Sequence, residues 1–217
     1  MKNRNIISAL IAFIAIVLSA SAFASDDKYI EAMQKNIQAV YTAKAIPDYQ
    51  AAVNALERIG AAEKTKWEPF YYASFGYIMM ANQEKDGAKK DAYLDQAATA
   101  LNKAKAIEPN ESEVMALEGF IYMIRVTVDP ASRGQQYSGL SMQVLNKAVA
   151  VNPENPRALA LLAQMQFGTA QFFGSPATEA CTTNAKALEK FTNFQSENPL
   201  APRWGQQMVD GLKSKCQ

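Results

Sequence analysis

A stretch in the middle of the chain is repeated 44 residues later. The segment Gly87–Asn110 ends in LNKAKAIEPN, and the later stretch VLNKAVAVNPEN reproduces this ending, so that Leu101 aligns with Leu145 and Pro109 with Pro153. A repeat period of roughly 20 to 50 residues indicates stacked supersecondary units rather than one closed core. We therefore expect an array of similar units.

The same register extends over most of the chain. A small residue recurs at intervals of 45, 44 and 46 residues, with a bulky residue four positions after each. Positions i and i+4 lie on one face of a helix, so each pair can pack against a neighbouring helix. A proline closes three of the units and ends the helix before it. The small positions are Ala52, Ala97, Ser141 and Ala187, the bulky ones are Leu56, Leu101, Leu145 and Phe191, and the prolines are Pro109, Pro153 and Pro199.

Apolar residues follow the 3.6-residue period of a helix, without convincing strand alternation. The sequence therefore predicts an all-α fold, an α-solenoid of four antiparallel helix pairs plus a C-terminal capping helix over the apolar face of the last unit. The helices are predicted near 27–45, 48–64, 67–83, 89–107, 112–128, 138–151, 156–171, 177–195 and 202–215. The units span about 27–64, 67–109, 111–153 and 155–199, and the capping helix spans 202–215.

The residues at these positions resemble the tetratricopeptide repeat (TPR), over about residues 29–199. Each unit supplies part of the pattern of aromatic, small, bulky and closing proline residues. Unit one has Asp48, Tyr49, Ala52, Leu56 and Ile59; unit two has Tyr72, Phe75, Gly76, Met79, Ala97, Leu101, Ala104 and Pro109; unit three has Met115, Gly119, Tyr122, Leu145, Ala148 and Pro153.

The units exceed the family period of about 34 residues by roughly ten. In unit two the excess is rich in helix formers and predicts longer helices. In units three and four the excess, DPASRGQQYS and FFGSPATE, contains proline and glycine and predicts ordered loops between paired helices. These loops resemble those of repeat proteins exported by Bacteroidetes-type bacteria.

Residues 1–24 are predicted to be a cleaved secretory signal peptide. Lys2 and Arg4 precede an apolar run of 15 residues, and Ala22-Phe23-Ala24 has the small-x-small form of a cleavage site. The alternative is a membrane anchor, but the run is shorter than the roughly 20 residues that span a bilayer. We expect residues 25–217 to form a single TPR-like domain in the periplasm, or secreted, without stable membrane insertion.

The charge of the chain and the residue types it lacks exclude several classes of function. Without Lys2 and Arg4 the chain keeps 20 of its 22 basic residues against 21 acidic ones, so no nucleic-acid partner is expected. The sequence has no histidine, which excludes histidine-dependent triads and the usual zinc sites. The carboxylate pairs Asp26/Asp27 and Glu111/Glu113 lie at predicted helix starts, where capping is the expected role. We expect no enzyme, no catalytic residue, no metal and no cofactor.

The two cysteines, Cys181 and Cys216, lie near the C-terminus on helices expected to touch. In an oxidising compartment an even count favours a disulfide, which would pin the last helix to unit four. Closing this 35-residue loop would stabilise the fold by about 3–4 kcal/mol. Two free thiols are the alternative.

The resemblance implies a concave groove lined by the first helix of each unit. Such an apolar, aromatic surface suits an extended or helical peptide, so a non-catalytic periplasmic scaffold that binds another protein or peptide of the cell envelope is the first functional hypothesis. In the alternative structural interpretation, longer helices bury these residues against one another. The positions, apolar and aromatic in the middle of the groove with a charged end, are Tyr41, Lys44, Phe70, Tyr77, Met80, Glu113, Phe120, Met123, Arg157, Gln164 and Phe167.

A second hypothesis concerns the loops of units three and four, which should emerge at the same end of the array. There Arg133 beside Phe172 and Phe173 could form a pocket for a carboxylate or a stacked ring. Arg133 could equally serve to tie its loop down. The pocket would make the protein a small-molecule or glycan-recognising accessory protein, beside an outer-membrane uptake system.

Overall fold

The computed structural model of this 217-residue protein describes residues 26–216, and every regular element in that range is a helix. The predicted signal peptide lies outside the described residues. Helix α1 covers residues 26–42 of the described range. The others are α2 (Ile46–Ala62), α3 (Glu68–Gln83), α4 (Gly87–Ile107), α5 (Ser112–Val126), α6 (Pro130–Val151), α7 (Pro156–Phe173), α8 (Thr178–Asn193) and α9 (Gln206–Lys213).

Consecutive helices pack in pairs, α3 with α4, α5 with α6 and α7 with α8. The first helices of these pairs also contact one another, α3 with α5 and α5 with α7. They therefore form the inner, concave layer, and the second helix of each pair forms the outer layer. The predicted all-α helical-repeat fold is confirmed.

The small and bulky positions of the repeat mesh where paired helices meet. Leu145 of α6 is fully buried against Gly119 of α5, where an added Cβ would lie 2.5 Å from the Leu145 Cγ atom. The hydroxyl of Ser141 donates to the Gly119 carbonyl at 2.9 Å. The period read from the sequence is therefore the spacing of close contacts between helices.

The excess residues of unit three are helical, so the loop predicted there is wrong. Helix α6 begins at Pro130. Proline is favoured at this position because the amide groups of the first turn have no hydrogen-bond partner within the helix, so nothing is lost when one is missing. The Asp129 carboxylate caps the turn by accepting hydrogen bonds from the Ser132 amide (3.2 Å) and hydroxyl (2.6 Å). In unit four, α7 continues to Phe173 and ends at Gly174, whose φ of 64° is left-handed.

The C-terminal region also differs from the prediction, because α9 begins at Gln206 rather than near residue 202. Residues 194–205, hereafter the C-terminal segment, have no regular structure. Helix α9 caps unit four as expected, since Val209 packs against Leu159 and Ala187 in a buried cluster. The predicted disulfide between Cys181 and Cys216 is present, with 5.6 Å between the two Cα atoms.

Candidate functional site

The concave face is filled by the C-terminal segment of the same chain. Trp204 is 6% exposed, and its ring stacks on Phe75 of α3 and Phe120 of α5, with centroids 5.1 and 5.8 Å away. The indole Nε1 donates a hydrogen bond to the hydroxyl oxygen of Tyr71 at 2.9 Å. A buried aromatic ring with its polar atom satisfied is a strong anchor.

Two tyrosines hold the backbone of the segment. The Tyr72 hydroxyl donates to the Leu200 carbonyl at 2.6 Å, and the Arg203 amide donates to the Tyr41 hydroxyl oxygen at 3.0 Å. Burial raises the pKa of both tyrosines, so they stay neutral and keep their hydrogen-bonding capacity. A gap of about 190 Å³ is left between α1 and the segment.

Beneath the segment lies a buried ion pair. Arg157 of α7 is 1% exposed, and its Nε lies 2.8 Å from both carboxylate oxygens of Glu113 in α5. Burial lowers the pKa of Arg157, but the charge and hydrogen bonds of Glu113 outweigh it, so the net pKa shift is upward. The Tyr71 hydroxyl donates to Glu113 at 3.3 Å, which links the pair to Trp204. The network fixes α5, α7 and the segment together.

The other predicted groove residues lie between helices, or against α9 and Lys215. Phe70 packs against Gly60 of α2, Tyr77 faces Glu57 of α2, and Met80 is fully buried. Met123 is partly buried against the core. The Gln164 amide donates to the Met208 carbonyl at 2.8 Å, and the Phe167 ring lies 5.4 Å from the Lys215 amine. Peptide binding on this face stays a prediction, and it requires displacement of the segment.

At the end of the array, Arg133 faces unit two. Its Nη1 donates to both carboxylate oxygens of Asp91 in α4, at 2.8 and 2.7 Å, and these hydrogen bonds raise the pKa of Arg133. Phe172 and Phe173 end α7 in unit four, are 80% and 71% exposed, and meet edge to face with centroids 5.0 Å apart. The loop pocket also stays a prediction.

A second candidate site, which the sequence did not predict, lies on the outer side between α4, α5 and α6. We call it the outer cleft, and it encloses about 370 Å³. Tyr122 of α5 and Tyr137 of α6 stack there with centroids 6.1 Å apart and planes 23° apart. The Arg125 guanidinium lies 5.9 Å from the Tyr137 ring centroid. The lining residues are Asp95, Ala98, Leu101, Asn102, Glu118, Ile121, Tyr122, Arg125 and Tyr137.

The sequence did contain a signal for this cleft. The repeat pattern contains Tyr122, whereas the proline and glycine near Tyr137 predict a loop, so the sequence alone does not bring the two rings together. If the excess residues of unit three are taken as helical, Arg133 and Tyr137 lie four positions apart on one face. That face meets α4 and α5.

Within residues 26–216, no helix combines the length and apolarity needed to cross a bilayer. In the same range, no three acidic or cysteine side chains are grouped as ligands for a metal ion.

No protein-family model and no curated protein matches the chain significantly. Among solved structures, the chain is similar to the HusA haemophore from Porphyromonas gingivalis, with 28% sequence identity and a TM-score of 0.78, over 87% of this chain and 92% of that chain. It is also similar to a thermophilic TPR protein from Thermus thermophilus, with 17% identity and a TM-score of 0.44, over 85% of this chain and 98% of that chain. The likeness to the haemophore, a protein of similar length with a TM-score of 0.78, supports the all-α helical-repeat fold read from the sequence.

Proposed function

We propose that this protein is a non-catalytic binding protein of the bacterial cell envelope that captures haem or a closely related porphyrin. The observation that carries the proposal is the likeness to a haemophore over 87% of the chain. The signal-like sequence of residues 1–24 supports export to the periplasm, with residues 25–217 as one domain. The proposal develops the small-molecule hypothesis, in place of a glycan.

The residue types of the chain restrict how a porphyrin could be held. The chain has no histidine, and both cysteines form the disulfide, so two common haem-iron ligands are absent or occupied. Tyrosine and methionine are the remaining common ligand types. Stacking of the flat ring on aromatic side chains is therefore expected to supply most of the affinity, with arginines facing the carboxylates.

The test is a titration of the protein lacking residues 1–24 with haem, followed by absorbance, and with iron-free protoporphyrin, followed by fluorescence. We expect saturable binding of both at one molecule per chain, because stacking does not need the iron. Binding of haem alone would replace stacking with iron ligation as the main source of affinity. Absence of saturable binding for both would contradict the proposed function.

A peptide-binding scaffold is the second candidate, and the filled concave face favours it. The face already holds an extended segment by two hydrogen bonds to its backbone and one aromatic anchor. These are the contacts by which a groove would recognise an extended peptide. In this candidate the partner is a cell-envelope protein that presents such a peptide.

The scaffold can be tested with a labelled peptide that copies residues 198–204. It should bind to the Trp204→Ala variant, in which the anchor position is vacated, and bind more weakly when Phe120→Ala is added. Phe172→Ala, which removes an exposed ring at the end of α7, is the control and should leave peptide binding unchanged. No binding to the Trp204→Ala variant, shown to be folded by circular dichroism, would sink this candidate.

A further inference from the structure

We infer that the outer cleft is the porphyrin site, with Tyr122 and Tyr137 as the stacking surface and Arg125 facing the carboxylates of the ligand. The inference rests on the proposed function and adds to it the place and the orientation of binding. It moves the ligand away from both sites that the sequence predicted.

One wall of the cleft is formed by the extra residues that make unit three longer than the ordinary repeat. The first two turns of α6 consist of this excess and carry Arg133 and Tyr137. Arg133 bonds Asp91 of α4, which ties the start of α6 to unit two. Tyr137 then lies against Tyr122 at the opening between α4 and α5. The added turns therefore create a recess beside α5.

The recess has the size and lining of a ligand site. Its volume of about 370 Å³ falls within the roughly 300–1,000 Å³ typical of small-molecule pockets. Ala98 and the buried side chains of Leu101 and Ile121 give the recess an apolar part, and Asp95, Asn102, Glu118 and Arg125 add polar groups. An open recess of this size would hold one side of a porphyrin and leave the other side accessible to a receiving partner.

Ring orientation favours the cleft over the exposed phenylalanines. Tyr122 and Tyr137 are within 23° of parallel, so a flat ligand can extend their stack by lying on the outer face of one ring. The rings of Phe172 and Phe173 are 86° apart, so a single flat ligand cannot stack on both faces. The tyrosine pair therefore fits a porphyrin better.

The charges at the rim favour a ligand with carboxylates along one edge. Arg125 contacts Asp91 at 3.3 Å and Asp95 at 2.5 Å, and the Asp95 side chain is 71% exposed. A ligand carboxylate can take the place of Asp95 on Arg125, because Asp95 can turn to water at little cost. Glu118, which also lines the cleft, is paired with Lys105 at 2.7 Å and adds no unpaired charge.

The experiment compares porphyrin binding by the wild type with that of two cleft variants. Tyr137→Ala removes one ring of the stacked pair, and Ala98→Phe fills the recess without removing any polar contact. We expect each to weaken binding of iron-free protoporphyrin by roughly tenfold or more, while Val151→Ala, an exposed change at the other end of α6, leaves binding unchanged. Circular dichroism establishes that each variant is folded.

The outcomes separate the inference from the proposed function. If the wild type binds porphyrin and both cleft variants bind equally well, the cleft is not the site and the proposed function stands. Loss of binding in the Phe172→Ala/Phe173→Ala variant, with the cleft variants unaffected, would place the ligand at the end of α7 instead. If the wild type binds no porphyrin, the proposed function fails and the inference with it.

Discussion

The concave face and the outer cleft use the same kinds of side chain, stacked aromatic rings beside an arginine, but one is filled and the other open. On the concave face Trp204 stacks on Phe75 and Phe120, and its ring is 6% exposed. In the outer cleft Tyr122 and Tyr137 stack beside about 370 Å³ of open space. Aromatic composition therefore does not identify a ligand site unless it is known what covers the rings.

The arginines differ in the same way. The Arg157 side chain is 1% exposed and its partner Glu113 is 12% exposed, so breaking that pair leaves a charge without water. The Arg125 side chain of the outer cleft is 13% exposed, but its partner Asp95 is 71% exposed, so water can take over the Asp95 carboxylate. The first pair is expected to serve stability, and the second can be rearranged around a ligand.

The largest expected effect is loss of the buried pair. Arg157→Met should lower the free energy of unfolding by about 3–5 kcal/mol, because Glu113 would remain buried without its partner. Urea denaturation measures this change. Arg133→Met, which breaks the partly exposed pair with Asp91 but leaves Asp91 paired with Arg125, should lower stability much less. An equal loss in the two variants would contradict the contrast between the two regions.

The second effect concerns the disulfide that ties the end of α9 to α8. Cys181→Ser/Cys216→Ser should reduce the free energy of unfolding by about 3–4 kcal/mol, because a loop closed by 35 residues is opened in the unfolded state. Denaturation of the variant and of the wild type, each with and without a reductant, tests this. If reduction leaves the stability of the wild type unchanged, the disulfide contributes nothing to it.

A smaller effect is expected from removal of one hydrogen bond on the concave face. Trp204→Phe keeps an aromatic ring but leaves the Tyr71 hydroxyl without the indole donor, at a cost of about 1–3 kcal/mol. Phe172→Ala, which removes an exposed ring, should change the free energy of unfolding by about 0.5 kcal/mol or less. Similar losses in both variants would mean that Trp204 is not anchored as described.

The last effect develops only in alkaline solution and concerns two buried tyrosines of the concave face. Burial raises the pKa of Tyr71 and Tyr72 above the usual value of about 10, so folding disfavours their ionised forms. Their contribution to stability is complete below pH 10 or so and is lost as the pH rises beyond it, by about 1.4 kcal/mol per pH unit for each tyrosine. Tyrosinate absorbance and unfolding, followed together in alkaline solution, should show that these two tyrosines ionise as the protein unfolds. Their ionisation in the folded protein would contradict the buried position.

The sequence was sufficient for the parts of the fold that depend on local periodicity. The spacing of Ala97 and Leu101 from Ser141 and Leu145 predicted the helix pairs, and the two cysteines predicted the disulfide. The start of α6 was missed because Pro130 and its glycines were read as helix breakers, although proline is favoured in a first turn. The sequence therefore contains a signal for the start of α6, but a proline that begins a helix was interpreted as one that breaks it.

The candidate sites depend on contacts that no local pattern reveals. Trp204 bonds Tyr71 across 133 positions, and Leu200 bonds Tyr72 across 128. A segment without regular structure carries no periodic signal, so its place on the concave face could not be read from residues 194–205. The outer cleft was missed for a related reason, since its two tyrosines meet only when α6 is given its full length.

Nuclear magnetic resonance spectra of the protein with and without iron-free protoporphyrin test the contrast between the two regions most directly. We expect the largest shifts at Tyr122, Arg125 and Tyr137, while the resonances of Phe75 and Trp204 and the contact between their rings are unchanged. Largest shifts at Phe75 and Trp204, with loss of that contact, would contradict it. The concave face would then be the binding site, and the C-terminal segment its displaceable cover.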